Sequence, residues 1–539
     1  MNLIFYLSTF FFFIWAIRNA LFWVNMWQVK EYRFDRMLVH LKETWQGRSI
    51  LFSKFLFFKY LAIFSYGFVI FNSEFLLPYQ LLVLVIFGFQ SLFVFQEISQ
   101  RQIKRPVLTA KSIFLFFSSL FVLFIFYMLP FVDRSLWFLL IDRLIPLIIG
   151  FFVFSLSIPT NIYKDFQEEK AAKKIMEHKK LLVIGVTGSY GKSSTKEYLG
   201  QILEKKFRIL KTAGSNNTLI GISNTVLSGL KKDTQIFIAE MGAYKRGEIS
   251  ELCQIVHPKI GIITGVAKQH LSLFGSFQNT MDTKYELINS LPKDGLALFN
   301  GNNQNSHHLY QLTNKNKILY ETLNFLPKDQ ALKEKRKREI AAFKINVRKT
   351  AISFNVMLGK DIIEMEANLV GGHNIENILP GIYIAKYLGM KNHEIKEAVS
   401  QLISLPKTMV YQKSESGAVL IDDTFNSNPN AVLAALDYMK IYKGKRILVL
   451  NPMVELGSES ENEHYLVSRE ISKVCDYLFL TNKNFHKPIV KGIMNGKGKC
   501  VVKICSASKI ADYVKENTSV NDIIVFEGKE SAVSFSKIL

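Results

Sequence analysis

The chain is poor in cysteine, with Cys253, Cys475, Cys500 and Cys505 alone among 539 residues. They form no CxxC pair and fall at no metal-ligand spacing. This argues against a disulfide framework or a zinc module and for ordinary thiols in a reducing compartment. Acidic residues are outnumbered, 45 against 67 Lys and Arg, for a net charge of +22. The basic residues are spread out, with no tract and no nucleic-acid module, so the surplus is read as meeting anionic lipid and nucleotide rather than nucleic acid. The apolar start lacks a basic leader and more apolar segments follow it, so no cleavable signal peptide is expected. A transport ATPase would need a signature helix and an Asp-Glu pair after its second strand; Glu240-Met241 offers neither.

Aromatics are abundant, and the 44 Phe are concentrated in the first third. Five apolar runs, near 3–27, 49–71, 76–96, 113–132 and 136–158, are long enough to cross the roughly 30 Å of bilayer hydrocarbon. The loops near 28–48 and 97–112 hold most of the Lys and Arg between these runs, while those at 72–75 and 133–135 hold only Arg134. The basic loops are expected in the cytoplasm, with the N-terminus outside. Everything after about residue 160 is then cytoplasmic. Asp142 and Arg143 fall inside the fifth run, where they either snorkel or pair with a neighbouring helix, or touch a lipid head group. The Lys- and Glu-rich stretch to residue 180 reads as a juxtamembrane helix against anionic lipid.

The most informative stretch is GVTGSYGKSSTKEYL, Gly185 to Leu199, which follows an apolar strand and opens a helix. That context suits a phosphate-binding loop. Gly188 and Gly191 free the backbone to turn its N–H groups inward, Lys192 supplies charge to phosphates, and the Ser193 hydroxyl can ligate Mg²⁺. The usual spacing asks for glycine where Val186 stands. The run Gln235–Glu240 is a buried strand delivering a carboxylate to its end, where a phosphate site needs a metal ligand. His270 follows the next strand; alone it reads as structural. After about 406 the pattern alternates strand and helix, which predicts a doubly wound parallel sheet with Asp422 and Asp423 at a strand end, either binding ligand or capping the turn.

The segments TGSYGKSST, AEMGAYKRGEIS, HPKIGIITGVAKQHLSLFGS, TKYEL, LFNGNN, GGHNIEN and IDDTFNSNPNAVLAALDYM occur in this order, followed by NPMVELGSESENEH. Together they resemble the Mur ligase family over about 181–539. The apolar runs give an N-terminal α-helical membrane bundle (1–160) and a linker (161–180); the resemblance adds an α/β P-loop ATPase domain (181–405) and an α/β doubly wound C-terminal domain (406–539), so the chain is multi-domain. The resemblance implies ATP and two Mg²⁺ sites. Gly188, Ser189, Gly191, Lys192, Ser193 and Ser194 would hold phosphates. Ser193, Glu240, His270 and Lys284 would serve the metals, with Lys284 carbamylated. Asn300, Asn374 and Asn377 would line the nucleotide, and Asp423 would contact its ribose. Asn426 and Asn428 would face the amine substrate. The reaction implied is amide formation through an acyl phosphate on a muramoyl-peptide carboxylate, with D-alanyl-D-alanine as the amine, in peptidoglycan precursor synthesis. Alternatives are a lipid-linked or polymeric acceptor, or a nucleotide-binding membrane scaffold without turnover. Two segments depart from the family: LPKTMVYQ offers Lys407 where an Arg is usual, and FEGKES stands for a KGSR-like closing motif. The family's UDP-sugar domain has no room before Leu181, so the membrane helices or a partner subunit would take its part.

Overall fold

The computed structural model describes residues 2–43, 45–52, 54–100, 102–129, 133–214, 216–268, 271–323, 339–454 and 456–539. The chain divides into two compact units, Met1–Asp165 and Phe166–Leu539.

The first unit is helical: α1 (Asn2–Val29), α2 (Phe34–Glu43), α3 (Trp45–Leu51), α4 (Lys54–Phe71), α5 (Leu76–Ser99), α6 (Ala110–Met128) and the first part of α7 (Arg134–Glu177). Thr109 and Ser112 form a reciprocal capping box that starts α6. Among the described residues, five helical segments are long and apolar enough to cross a membrane: Leu3–Val29, Gly47–Phe71, Ser73–Ser99, Ala110–Met128 and Arg134–Glu177. The unit's interior is a cluster including Phe12, Phe87, Leu115, Phe138 and Ile145, while Phe64, Phe68, Phe71 and Phe117 stay exposed. The fifth run and the polar stretch after it, expected as separate pieces, are one helix, α7, with Pro146 and Pro159 inside it. Nor is the polar part merely a surface helix: Ala171 and Ile175 are buried in the second unit's core, and Lys174 Nζ donates to the carbonyls of Val226 and Leu227.

The second unit holds two sheets. The first has nine strands in the order β2-β3-β1-β4-β5-β6-β7-β8-β9. These are β1 (Leu182–Thr187), β2 (Ile209–Lys211), β3 (Ile236–Glu240), β4 (Ile260–Ile263), β5 (Leu296–Asn300), β6 (Asn316–Leu323), β7 (Ile340–Val347), β8 (Ile352–Leu358) and β9 (Asp361–Ala367). Pairing is parallel as far as β7 and antiparallel through β8 and β9. The central strands read as unbroken apolar runs because both faces are covered. Ile184, Ile238 and Ile262 face one core, and Val183, Phe237 and Ile263 the other.

The second sheet has the order β10-β11-β15-β12-β13-β14. Its strands are β10 (Val410–Lys413), β11 (Val419–Asp423), β12 (Arg446–Leu450), β13 (Tyr477–Leu480), β14 (Val501–Ile504) and β15 (Ile523–Glu527). It is the expected βα repeat with one difference: β10 is an antiparallel edge strand beside β11. Both sheets bring the carboxyl ends of parallel strands to their loops, where ligands of such folds collect.

Candidate active site

The loop after β1 leads into helix α8 (Lys192–Leu203). Gly191 has φ +76°, a left-handed conformation that glycine adopts freely. At Gly188 the demand is space, since a Cβ would lie 2.1 Å from Thr264 Oγ1. Thr264 donates to the Tyr190 carbonyl, and Ser189 N–H donates to the Gly265 carbonyl at 2.6 Å, so the segment after β4 fastens the loop. Lys192 Nζ donates to the carbonyls of Gly188 (2.7 Å) and Ser189 (3.2 Å), which holds the ammonium over the loop. Val186 is still a strand residue, paired with Glu240 on β3, so extended backbone stands where the usual spacing wants glycine.

Glu240 ends β3 and is 1% exposed. Asn217 Nδ2 donates to its Oε1 at 3.0 Å, and Lys196 Nζ stands 3.2 Å from Oε2, which accepts no hydrogen bond. Lys284, on the helix Phe277–Asn289, is 3% exposed. Burial, reinforced by the charge of Lys192, pushes its amine down to about 7. Burial also lowers Lys192, against the pull of Glu240. Lys192, Glu240 and Lys284 therefore share one electrostatic neighbourhood. His270 lies outside the described residues. Among the described residues no three of His, Cys, Asp and Glu converge as a metal cage.

A cavity of about 300 Å³ opens beside the loop. Ser189, Gly191, Lys192, Ser193, Ser194, Asn300 and Asn377 line it from the first sheet's side, and Asp423, Asn426 and Asn428 from the second's. Gly188, Glu240, Lys284 and Asn374 are not among its lining residues. Asn374 is turned to the core: its Nδ2 donates to the Val370 carbonyl, and its Oδ1 accepts from Tyr198 and from Asn377 Nδ2. Asn300 Nδ2 donates to Glu376 at 2.8 Å.

Asp423 accepts from the Met409 N–H at 3.3 Å and stands in register with Glu527 at the end of β15. Burial raises both carboxyls, Asp423 to about 7, and the charge of Asp423 pushes Glu527 further up. Asp422 serves the turn instead, accepting from the Thr424 N–H and hydroxyl. Asn428 caps the helix Pro429–Met439 through the Ala431 N–H at 3.0 Å. In the departing segment, Thr408 lines the cavity and Lys407 does not. Tyr190, Glu376, Thr408, Phe425 and Asn430 also line the cavity without having been singled out. His373 stood in the GGHNIEN motif without a role; it lines the cavity with Nδ1 unpaired, and burial lowers its pKa to about 4.

Residues 186–385 match the Mur ligase middle domain and 409–530 the Mur ligase glutamate ligase domain. The chain is a Mur ligase. As such it is an ATP-dependent, ADP-forming ligase. Two similar proteins are UDP-N-acetylmuramoyl-tripeptide--D-alanyl-D-alanine ligases. That of Bacillus subtilis is 29% identical over 67% of this chain and 75% of its own length. That of Escherichia coli is 28% identical over 53% of this chain and 61% of its own length. The fold is also that of the MurF ligase from Thermotoga maritima, solved with ADP, at a TM-score of 0.60 and 22% identity, covering 70% of this chain and 82% of that one. The matched domains account for both sheets and leave the helical unit outside the Mur ligase part.

Proposed function

We propose that this Mur ligase joins D-alanyl-D-alanine to the peptide carboxylate of a muramoyl-tripeptide, from the cytoplasmic side of a membrane that its helical unit spans. The observation that carries the reading is the convergence on one cavity of the Lys192 loop, the Asn300–Glu376 pair and Asp423. These supply a phosphate cradle and polar groups for a base and a ribose. The reaction moves the γ-phosphate of ATP to the acceptor carboxylate, giving ADP and an acyl phosphate. The amine then attacks the acyl carbon, phosphate leaves, and the nitrogen loses its proton. The loop N–H groups and Lys192 hold negative charge in place throughout, and positioning does most of the work. Asn426 and Asn428 face the incoming amine.

The donor set suits Mg²⁺: Ser193 offers a hydroxyl at the cavity, and Glu240 offers a buried oxygen that accepts no hydrogen bond and is ion-paired with Lys196. Ser193, Glu240, His270 and Lys284 as its carbamate would hold two ions, which neutralise developing phosphate charge when bound. Lys284 is suited to that modification, because a lysine near 7 presents a neutral amine at ordinary pH. The amine adds to CO₂ and loses a proton, turning a cation into an anion beside the metals.

A lipid-linked acceptor is the second reading, favoured because the region before β1 is taken up by the tail of α7, where a sugar-binding domain would have to sit. The test is phosphate release from ATP by the full chain, expected only when muramoyl-tripeptide and D-alanyl-D-alanine are both present. The soluble and lipid-linked acceptors are compared by product mass. Release that ignores the amine would overturn the proposal.

A further inference from the structure

The helical unit contains a cavity of its own that the ligase chemistry does not use. At about 390 Å³ it falls within the range of ligand pockets, about 300–1,000 Å³. Its wall carries a charge cluster centred on Asp142, which is fully buried. Asp142 accepts from Trp15 Nε1 at 2.7 Å, Asn19 Nδ2 at 3.2 Å, Lys59 Nζ at 2.7 Å and Arg143 Nε at 3.0 Å. Beside it Arg18 donates to both oxygens of Glu97, at 2.9 and 2.5 Å. Asp142 thus pairs with a neighbouring helix, as one sequence reading held, but the pairing lines a cavity.

Three features of this cluster are unbalanced. Arg18, Lys59 and Arg143 face only Asp142 and Glu97 among the lining residues, so one positive charge is left over in apolar surroundings, where uncompensated charge is costly. Each guanidinium uses two of its five N–H donors on a carboxylate. Gln90, on the same wall and 4% exposed, has an Oε1 that accepts no hydrogen bond. Spare charge, spare donors and an acceptor wanting a donor call for an anion that also carries a hydroxyl. A phosphate monoester in its singly protonated form is such a group.

Free phosphate and a lipid phosphate share this chemistry, and the surroundings favour the lipid. Phe55 and Phe93 line the cavity and are 41% and 42% exposed, continuing it onto the apolar outside of the bundle. Lys59 lies in the second turn of α4 and Glu97 in the last turn of α5. Those helix ends join the basic loops assigned to the cytoplasm, while Asp142 lies in the third turn of α7 from its outer end, so the cavity runs from the inner side toward the middle of the membrane. We propose that this cavity binds the head group of a phosphate-monoester lipid, with the apolar chain along Phe55 and Phe93. This rests on the reading that the helical unit spans a membrane.

The test uses the full chain in detergent and a radiolabelled polyprenyl monophosphate. Unlabelled polyprenyl phosphate should compete, while the neutral polyprenol and millimolar inorganic phosphate should not. Arg143→Gln should weaken binding about tenfold, as loss of a charge-assisted contact does. Gln90→Leu should weaken it about threefold, and it keeps the test open if Arg143→Gln does not elute as a single species. Equal competition by the polyprenol, equal competition by inorganic phosphate, or undiminished binding by both variants would each overturn the proposal. Resistance of the full chain to alkaline carbonate extraction from membranes tests the spanning reading separately. A chain that stays in the membrane yet holds polyprenol as tightly as its phosphate refutes the pocket and spares the anchor.

Discussion

Asp423 and Glu527 stand side by side in register on adjacent parallel strands, both buried, with Asp423 in the cavity wall. Two acids so placed cannot both ionise cheaply. Their folded-state pKa values lie above the ordinary carboxylate range, Asp423 at about 7. The pair's contribution to stability is therefore complete below about pH 4 and is lost as pH rises through 7. Glu527→Gln removes the repulsion. Its melting temperature should exceed that of the parent at pH 8, by about 2–4 °C for each kcal/mol relieved, and the difference should shrink at pH 5. Calorimetry at the two pH values checks this.

Lys284 has the opposite linkage. Its folded pKa of about 7 lies below the ordinary 10.5, so the fold gains stability as pH rises from about 7 to 10 and loses it as pH falls through 7. Lys284→Met should be more stable than the parent at pH 6 and should lose ligase activity. The parent given ¹³C-bicarbonate should show a carbamate resonance that Lys284→Met lacks. An identical spectrum from both proteins would show that Lys284 is not the modified site.

Asn428 caps a helix and faces the cavity with the same side chain. Asn428→Ala should cost about 1 kcal/mol of stability. Asn428→Asp should keep the cap while losing the amide donor, so its effect should be confined to a raised KM for the amine. Denaturant unfolding and steady-state kinetics on the two variants separate the roles.

Lys59 and Asp142 are 1% and 0% exposed in their side chains. Asp142→Leu strands a buried ammonium, a change that costs about 3–5 kcal/mol in buried pairs. It should abolish the monodisperse protein in detergent. Lys59→Leu combined with Asp142→Leu should recover part of it, as read by size exclusion and thermal unfolding.

The sheets, the glycine loop and the apolar helices were legible in the sequence because each has a local signature: continuous apolar runs, a strand–glycine–helix order, and length. What escaped was set by three-dimensional neighbours. Glu376, inside GGHNIEN, and Thr408, inside LPKTMVYQ, reach the cavity, and nothing in the local pattern of either segment marks which side chain will face it. Asn374 and Asn377 share one motif, yet the first is drawn to the core by Tyr198 and Val370, which are remote in sequence or lie in the preceding loop. The continuity of α7 was hidden because Pro159 and a change from apolar to charged residues mark an ordinary helix end.

The clasp between Thr264 and the backbone around Gly188 has one more consequence. The loop's contour is moulded from outside, by a hydroxyl at the tail of the next strand, with no room for even a methyl group between them. Gly188 and Thr264 are thereby one steric unit: a side chain added at 188 fits only if the group at 264 is cut back.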